Sequence, residues 1–250
     1  MRYRIFLAGL CSLLLFVGAS CISFGNKKAD GGLYRTADRG ESWVQRGAIP
    51  QVGGAQRTLA NASITMIVQD PSDRGALYVG TDSEGGFYSW DNGNAWWPLG
   101  RPFASGRVDA IVVDPRAKCT IAVASGPKIY KTTDCARSWR SSDFEANITA
   151  LAIDPTSSAV YYAGNVNGDL LKSSDGGASW RAVRRIDGQR IRRVLATGGP
   201  PTTVYAVTQS AGMLRSNDAG ETWVDLRKGM EQYEAAFDFK AIALAPDHPG

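Results

Sequence analysis

The 250-residue chain is short of the residues on which metalloproteins and many enzymes depend. It has one histidine, His248, and four cysteines, of which Cys11 and Cys21 fall close to the N-terminus and Cys119 and Cys135 further along. With no second pair of Cys or His ligands, zinc is excluded as the element that organises the fold. No segment is charge-rich enough to be a disordered tail. The 28 Lys and Arg against 24 Asp and Glu give a net charge of +4, and removing Arg2 and Arg4 with residues 1–20 would lower it to 4 − 2 = +2. That excess is too mild to indicate a nucleic-acid binder. No convincing helical period appears, and no nucleotide, pigment or metal motif does either, so no cofactor is expected. Glycine, by contrast, is abundant and aromatics make up 10% of the chain, which is long enough for one large all-β domain.

Five stretches repeat one another. They run Thr36 to Trp43, Ser89 to Trp96, Thr132 to Trp139, Ser173 to Trp180 and Ser216 to Trp223, on the pattern Ser/Thr-x-Asp-x-Gly-x-Ser/Thr-Trp. The aspartates are Asp38, Asp91, Asp134, Asp175 and Asp218, and the tryptophans Trp43, Trp96, Trp139, Trp180 and Trp223; Gly and the second hydroxyl residue are each present in four of the five. An Asp two residues before a Gly is turn chemistry, because the carboxylate accepts backbone N–H groups within the loop and Gly supplies positive φ. A Trp at a fixed offset after the turn lands on the same face of the outgoing strand each time. All five are therefore expected to be buried anchors. The aspartates step by 53, 43, 41 and 43 residues, the period of a propeller blade of several strands.

This motif resembles the Asp-box (BNR) repeat of sialidases, sortilin-type receptors, xyloglucanases and photosystem II assembly factors, all of them β-propellers. The resemblance implies an all-β propeller of four-stranded blades over residues 32–250, with the boxes on the blade periphery, away from the central pocket. A typical unit reads Ile148–Asp154, Ala159–Gly164, Gly168–Ser173 and Ser179–Val183 as four strands joined by turns. About five blades are expected. The first is represented only by its third and fourth strands, and Phe239 to Pro246 supplies a lone first strand. Either these ends meet in one composite blade or the ring continues to six to eight blades; the second reading is preferred, because an open edge invites aggregation.

Residues 1–20 read as an export signal: Arg2 and Arg4, an apolar run from Ile5 to Val17, then Gly18-Ala19-Ser20. Cys21 follows, in a setting that resembles the lipobox of bacterial lipoproteins, whose cysteine is acylated. Residues 21–31 form a tether. The resemblance implies a domain outside the cytoplasm, on the outer face of the cytoplasmic membrane, or a secreted one if Cys21 is not acylated.

Cys119 and Cys135 flank a hairpin that turns near Ser125-Gly126-Pro127. If Ala124 faces Ile129, Cys119 falls within a residue of Cys135, and a disulfide becomes reasonable in an exported protein. The repeated box aspartates are turn residues, since an active site needs one constellation and not five equivalent corners. Asp70, Asp114 and Asp154 would be the carboxylates of a xyloglucanase-like cleft, but each also begins a turn after a first strand. Arg184, Arg185 and Arg190, within a run that includes Arg181, Arg192 and Arg193, form either a solvated rim or an anionic contact. Trp97 must face the side opposite Trp96, for packing between blades or for stacking on a sugar. No catalytic residue is assigned. The resulting expectation is a non-catalytic, lipid-anchored scaffold with an unknown protein or glycan ligand and no nucleic-acid partner. A glycoside hydrolase of the sialidase or xyloglucanase type and a sortilin-like peptide receptor are the alternatives.

Overall fold

The computed structural model describes residues 31–51, 57–228, 232–233, 237–239 and 242–243. The signal segment, Cys21 and most of the final strand expected from Phe239 to Pro246 lie outside the described residues.

The described chain is all-β. Strands β1 (Tyr34–Arg35) and β2 (Val44–Gln45) pair across the first Asp-box, and β3 (Ala48–Ile49) pairs with β4 (Arg57–Thr58). Four antiparallel four-stranded sheets follow. Blade 1 comprises β5 (Ile64–Asp70), β6 (Asp73–Thr81), β7 (Gly86–Ser89) and β8 (Trp97–Pro98), and blade 2 β9 (Ala110–Val113), β10 (Ile121–Ser125), β11 (Lys128–Thr132) and β12 (Arg140–Asp143). Blade 3 holds β13 (Ile148–Asp154), β14 (Ser157–Asn165), β15 (Asp169–Ser173) and β16 (Arg181–Arg185), and blade 4 β17 (Ile191–Ala196), β18 (Val204–Thr208), β19 (Met213–Ser216) and β20 (Val224–Asp225). In each blade neighbours in sequence are neighbours in the sheet, the meander of a propeller blade. The β3–β4 ladder lies between the first box and blade 1, where the repeat step is longest.

Alternation sets the packing. Val79, Val123, Ala163 and Ala206 occupy one register position on the second strands, all completely buried, and each faces the preceding sheet. The first strands β5, β9, β13 and β17 touch in succession and form the inner wall. Hydroxyls tie them together: Thr65 Oγ1 donates to Val108 O at 3.2 Å, and Thr149 Oγ1 donates to Ile191 O. Close approach here requires glycine, since a Cβ on Gly164 would sit 2.3 Å from Ile191 Cγ2.

The corners follow one plan. In the fourth, Ser173 Oγ donates to Asp175 Oδ1 at 2.8 Å and accepts from Gly177 N at 2.8 Å, while Ser179 N donates to Asp175 Oδ1 at 2.9 Å. The residue after each box aspartate (Arg39, Asn92, Cys135, Gly176 and Ala219) is left-handed, and so is the next, including Ala136 where the other boxes have Gly. Each corner thus turns on two consecutive positive-φ residues, one more than the glycine position alone indicates. Hydrogen bonds from Ser179 and Ser173 hold the Asp175 carboxyl down at about 2, and Asp38, Asp134 and Asp218 are lowered in the same way by Ser42, Ser138 and Thr222 together with their first-position hydroxyls.

The expectation that every box tryptophan is a buried anchor holds fully at Trp96, in part at three others, and fails at Trp43. Trp96 lies in the cluster between blade 1 and the segment before it, and Trp139, Trp180 and Trp223 pack half-buried into the three gaps that follow. Trp43 is 59% exposed. Each buried indole packs against the preceding sheet, and among the described residues no sheet precedes β1–β2.

Candidate functional site

A strongly charged concavity is formed by equivalent positions at the start of the first strands. Ile64, Val108, Ile148 and Ile191 are the repeated apolar residues there. The residue after each is Thr65, Asp109, Thr149 and Arg192 in turn, and blades 2 and 4 place Arg107 and Arg190 just before theirs. Together with Arg193 these side chains line a pocket of about 390 Å³ where the inner strands begin. Four guanidinium groups thus face one pocket carboxylate, Asp109.

The guanidinium groups differ in their partners. Arg107 Nε donates to Asp109 Oδ1 at 2.8 Å, and Arg107 also pairs with Asp82. Arg192 Nη1 lies 2.6 Å from Asp238 Oδ1. Arg193 donates to the Arg192 carbonyl at 3.2 Å. Neither Arg190 nor Arg193 has a carboxylate partner among the described residues. Two charged groups are therefore left to meet an anion, and planar guanidinium suits carboxylate or phosphate best.

The arginine run seen in the sequence is divided by the fold. Arg190 enters the pocket with Arg192 and Arg193, whereas Arg184 and Arg185 lie exposed on β16, the outermost strand of blade 3. Arg185 there pairs with Asp169, 2.5 Å away, and Arg181 pairs with Glu221. The reason is geometric: a fourth strand and the next first strand are adjacent in sequence but stand at opposite edges of the blades. Arg107 escaped the sequence reading because it comes from another repeat; its place before the recurring apolar residue was the available signal.

Other sequence candidates have structural roles. Asp70, Asp114 and Asp154 are buried and accept the N–H two residues ahead, from Ser72 at 2.8 Å, Arg116 at 2.9 Å and Thr156 at 2.8 Å. Trp97 stacks on Tyr88 at 6.1 Å between ring centroids, and Tyr88 packs into the cluster between blades 1 and 2, opposite the face that carries Trp96. Cys119 and Cys135 form a disulfide, and Ala124 pairs with Ile129 in the hairpin between them.

Residues 11–196 match the family of photosynthesis system II assembly factor YCF48. The chain belongs to this family. Among curated members it is similar to the photosystem II assembly lipoprotein Ycf48 of Synechococcus sp. (strain CC9902), at 29% identity over 165 residues, which is 60% of this chain and 42% of that protein. The chain thus spans about two fifths of the length of that Ycf48 relative. Solved structures share the propeller fold: an ancestral GH74 enzyme (21% identity, TM-score 0.57, covering 72% of this chain and 24% of that one) and the GH74 xyloglucanase of Xanthomonas campestris (20% identity, TM-score 0.56, 66% and 30%). A solved complex described as YCF48 bound to D1 peptide is 12% identical, with a TM-score of 0.43 over 65% of this chain and 66% of that one.

Proposed function

We propose that this YCF48-family chain is a non-catalytic assembly scaffold of photosystem II, held in the cell envelope by an acylated Cys21 after removal of residues 1–20. A tether over residues 21–31 joins the anchor to a propeller domain over 32–250, on the outer face of the cytoplasmic membrane. The name of the Synechococcus relative, an assembly lipoprotein, supports both the role and the anchor.

The arginine pocket is the contact for the client polypeptide. One observation carries this: Arg190 and Arg193 converge beside Arg107 and Arg192 with no carboxylate of their own among the described residues. Such a cluster steers and orients a carboxylate-bearing segment more than it adds raw affinity. Fluorescence anisotropy with a labelled D1 peptide tests it. The double substitution R190E with R193E is expected to weaken binding at least tenfold, about 1.4 kcal/mol, with the circular dichroism spectrum unchanged. Undiminished affinity in that folded variant overturns the assignment of the pocket.

A further inference from the structure

A second cavity lies away from the arginine pocket, in the gap between blades 2 and 3. One residue in its wall departs from the other blades. The position just before the buried Val79, Ala163 and Ala206 of the second strands is Tyr78 in blade 1, Tyr162 in blade 3 and Tyr205 in blade 4, each paired across the sheet with the third strand. In blade 2 the equivalent residue, paired with Lys131, is Ala122.

In blade 3 that tyrosine has a defined task. Tyr162 crosses the gap to blade 4, and its hydroxyl donates to Ala219 O, in the residue after the box aspartate, at 3.0 Å. In the gap between blades 2 and 3 the matching acceptor is Gly176 O, which is reached at 2.8 Å by the ammonium of Lys131 from the neighbouring strand. The acceptor is satisfied, and the small side chain of Ala122 leaves room beside Tyr161, which enters the same gap from blade 3 where the other blades carry Leu77, Ile121 and Val204. What remains is a cavity of about 470 Å³, walled by Ala122, Ile129, Tyr161 and Trp180.

Its polar side is cationic. Lys131 and Arg140 both line it, and neither has a carboxylate partner among the described residues. The one acidic lining residue, Asp175, has its oxygens engaged by the Ser173 and Ser179 hydroxyls and the Ser179 N–H. Lys131 also stands 4.8 Å above the centre of the Tyr161 ring. Burial holds its ammonium below the usual lysine value, and a neighbouring anion reverses that direction.

We propose that this gap binds an aromatic carboxylate, its ring in the slot left by Ala122 against Trp180 and its carboxylate beside Lys131 and Arg140. Stacking and apolar burial select the ring, and the two cations select the charge. The ligand is either a free aryl acid or the C-terminal aromatic residue of a polypeptide, since both present the same groups.

Isothermal titration calorimetry on the full chain separates these sources, with 4-hydroxyphenylacetate as one probe and an N-acetylated tripeptide ending in tyrosine with a free carboxylate as the other. Binding of the free acid assigns a small-molecule site, and binding of the peptide alone assigns a C-terminal contact. The absence of heat from both at millimolar concentration overturns the proposal. Ala122→Tyr fills the slot and is expected to abolish binding; undiminished binding in that folded variant refutes the site. Lys131→Met keeps the cavity and is expected to weaken the carboxylate at least tenfold while leaving 4-ethylphenol unchanged. Equal loss of both probes refutes the charge reading. R190E is expected to bind these probes normally, so failure here is distinguishable from failure of the arginine pocket.

Discussion

The first and second Asp-box corners share their turn chemistry and give their tryptophans opposite surroundings. Thr36 Oγ1 donates to Asp38 Oδ1 at 2.6 Å, as Ser89 Oγ donates to Asp91 Oδ1 at 2.7 Å, and Gly40 N and Gly93 N return to those hydroxyls at 2.8 and 2.9 Å. Yet Trp43 is 59% exposed and Trp96 is 1% exposed. Trp96 is enclosed by Ile49 and Leu59 of the segment before blade 1, and its Nε1 donates to Arg46 O at 2.7 Å. Trp43 belongs to none of the described core clusters. The corner is thus a local structure that closes by itself, while the burial of its indole depends on a neighbouring sheet.

The largest expected difference between the two corners is in truncation of the indole. Trp96→Ala leaves a cavity in a closed cluster and should destabilise by about 3–5 kcal/mol, whereas Trp43→Ala should fall within about 0.5 kcal/mol of the parent, as surface changes do. Urea denaturation of both variants measures this, and equal losses would break the distinction between local corner and tertiary anchor. A somewhat smaller effect is expected from the cover over Trp96. Leu59 is 2% exposed in that same cluster, and Leu59→Ala should cost about 2–5 kcal/mol. The Trp96 indole N–H resonance should also move, a change that NMR resolves among the seven tryptophans.

The smallest effect concerns charge. The first corner has a second hydroxyl, Ser42, that donates to Asp38 Oδ2 at 2.5 Å, and the second corner has Ala95 in its place. Asp38 is lowered chiefly by the Ser42 hydroxyl; at Asp91 burial works upward and is outweighed by the Ala95 N–H and the Ser89 hydroxyl. A carboxyl whose folded value is depressed adds stability that is present above its unfolded value, about 4, and lost as pH falls through the folded one. For Asp175 that loss runs from the ordinary 3.8 down to about 2. Ser42→Ala should move the Asp38 titration upward and narrow its window, and Ala95→Ser should move that of Asp91 downward. Carboxyl-resolved NMR titration reads both shifts, and movement in the opposite sense would remove the role given to the second hydroxyl.

Much of the fold was legible because its signals are local and repeated. Ile148–Asp154 is a strand in the structure with the boundaries expected from alternation and turn residues. The β3–β4 ladder was not legible, because two-residue strands such as Ala48–Ile49 carry no period to detect. The site was harder to see. Arg107 and Arg190 stand far apart in sequence and meet because first strands share an inner wall, whereas Arg185 and Arg190, five positions apart, end on different edges.

By itself, the amino-acid order determined the five corners, their spacing, the meander between them and hence the propeller, since a carboxylate, a hydroxyl and an N–H within four residues find one another without help from the rest of the chain. Only the tertiary structure decided which indole is buried, which guanidinium groups gather without partners, and that a cavity lies beside Ala122. Each of those outcomes depends on what an adjacent sheet brings across a gap, and that partner comes from a different repeat.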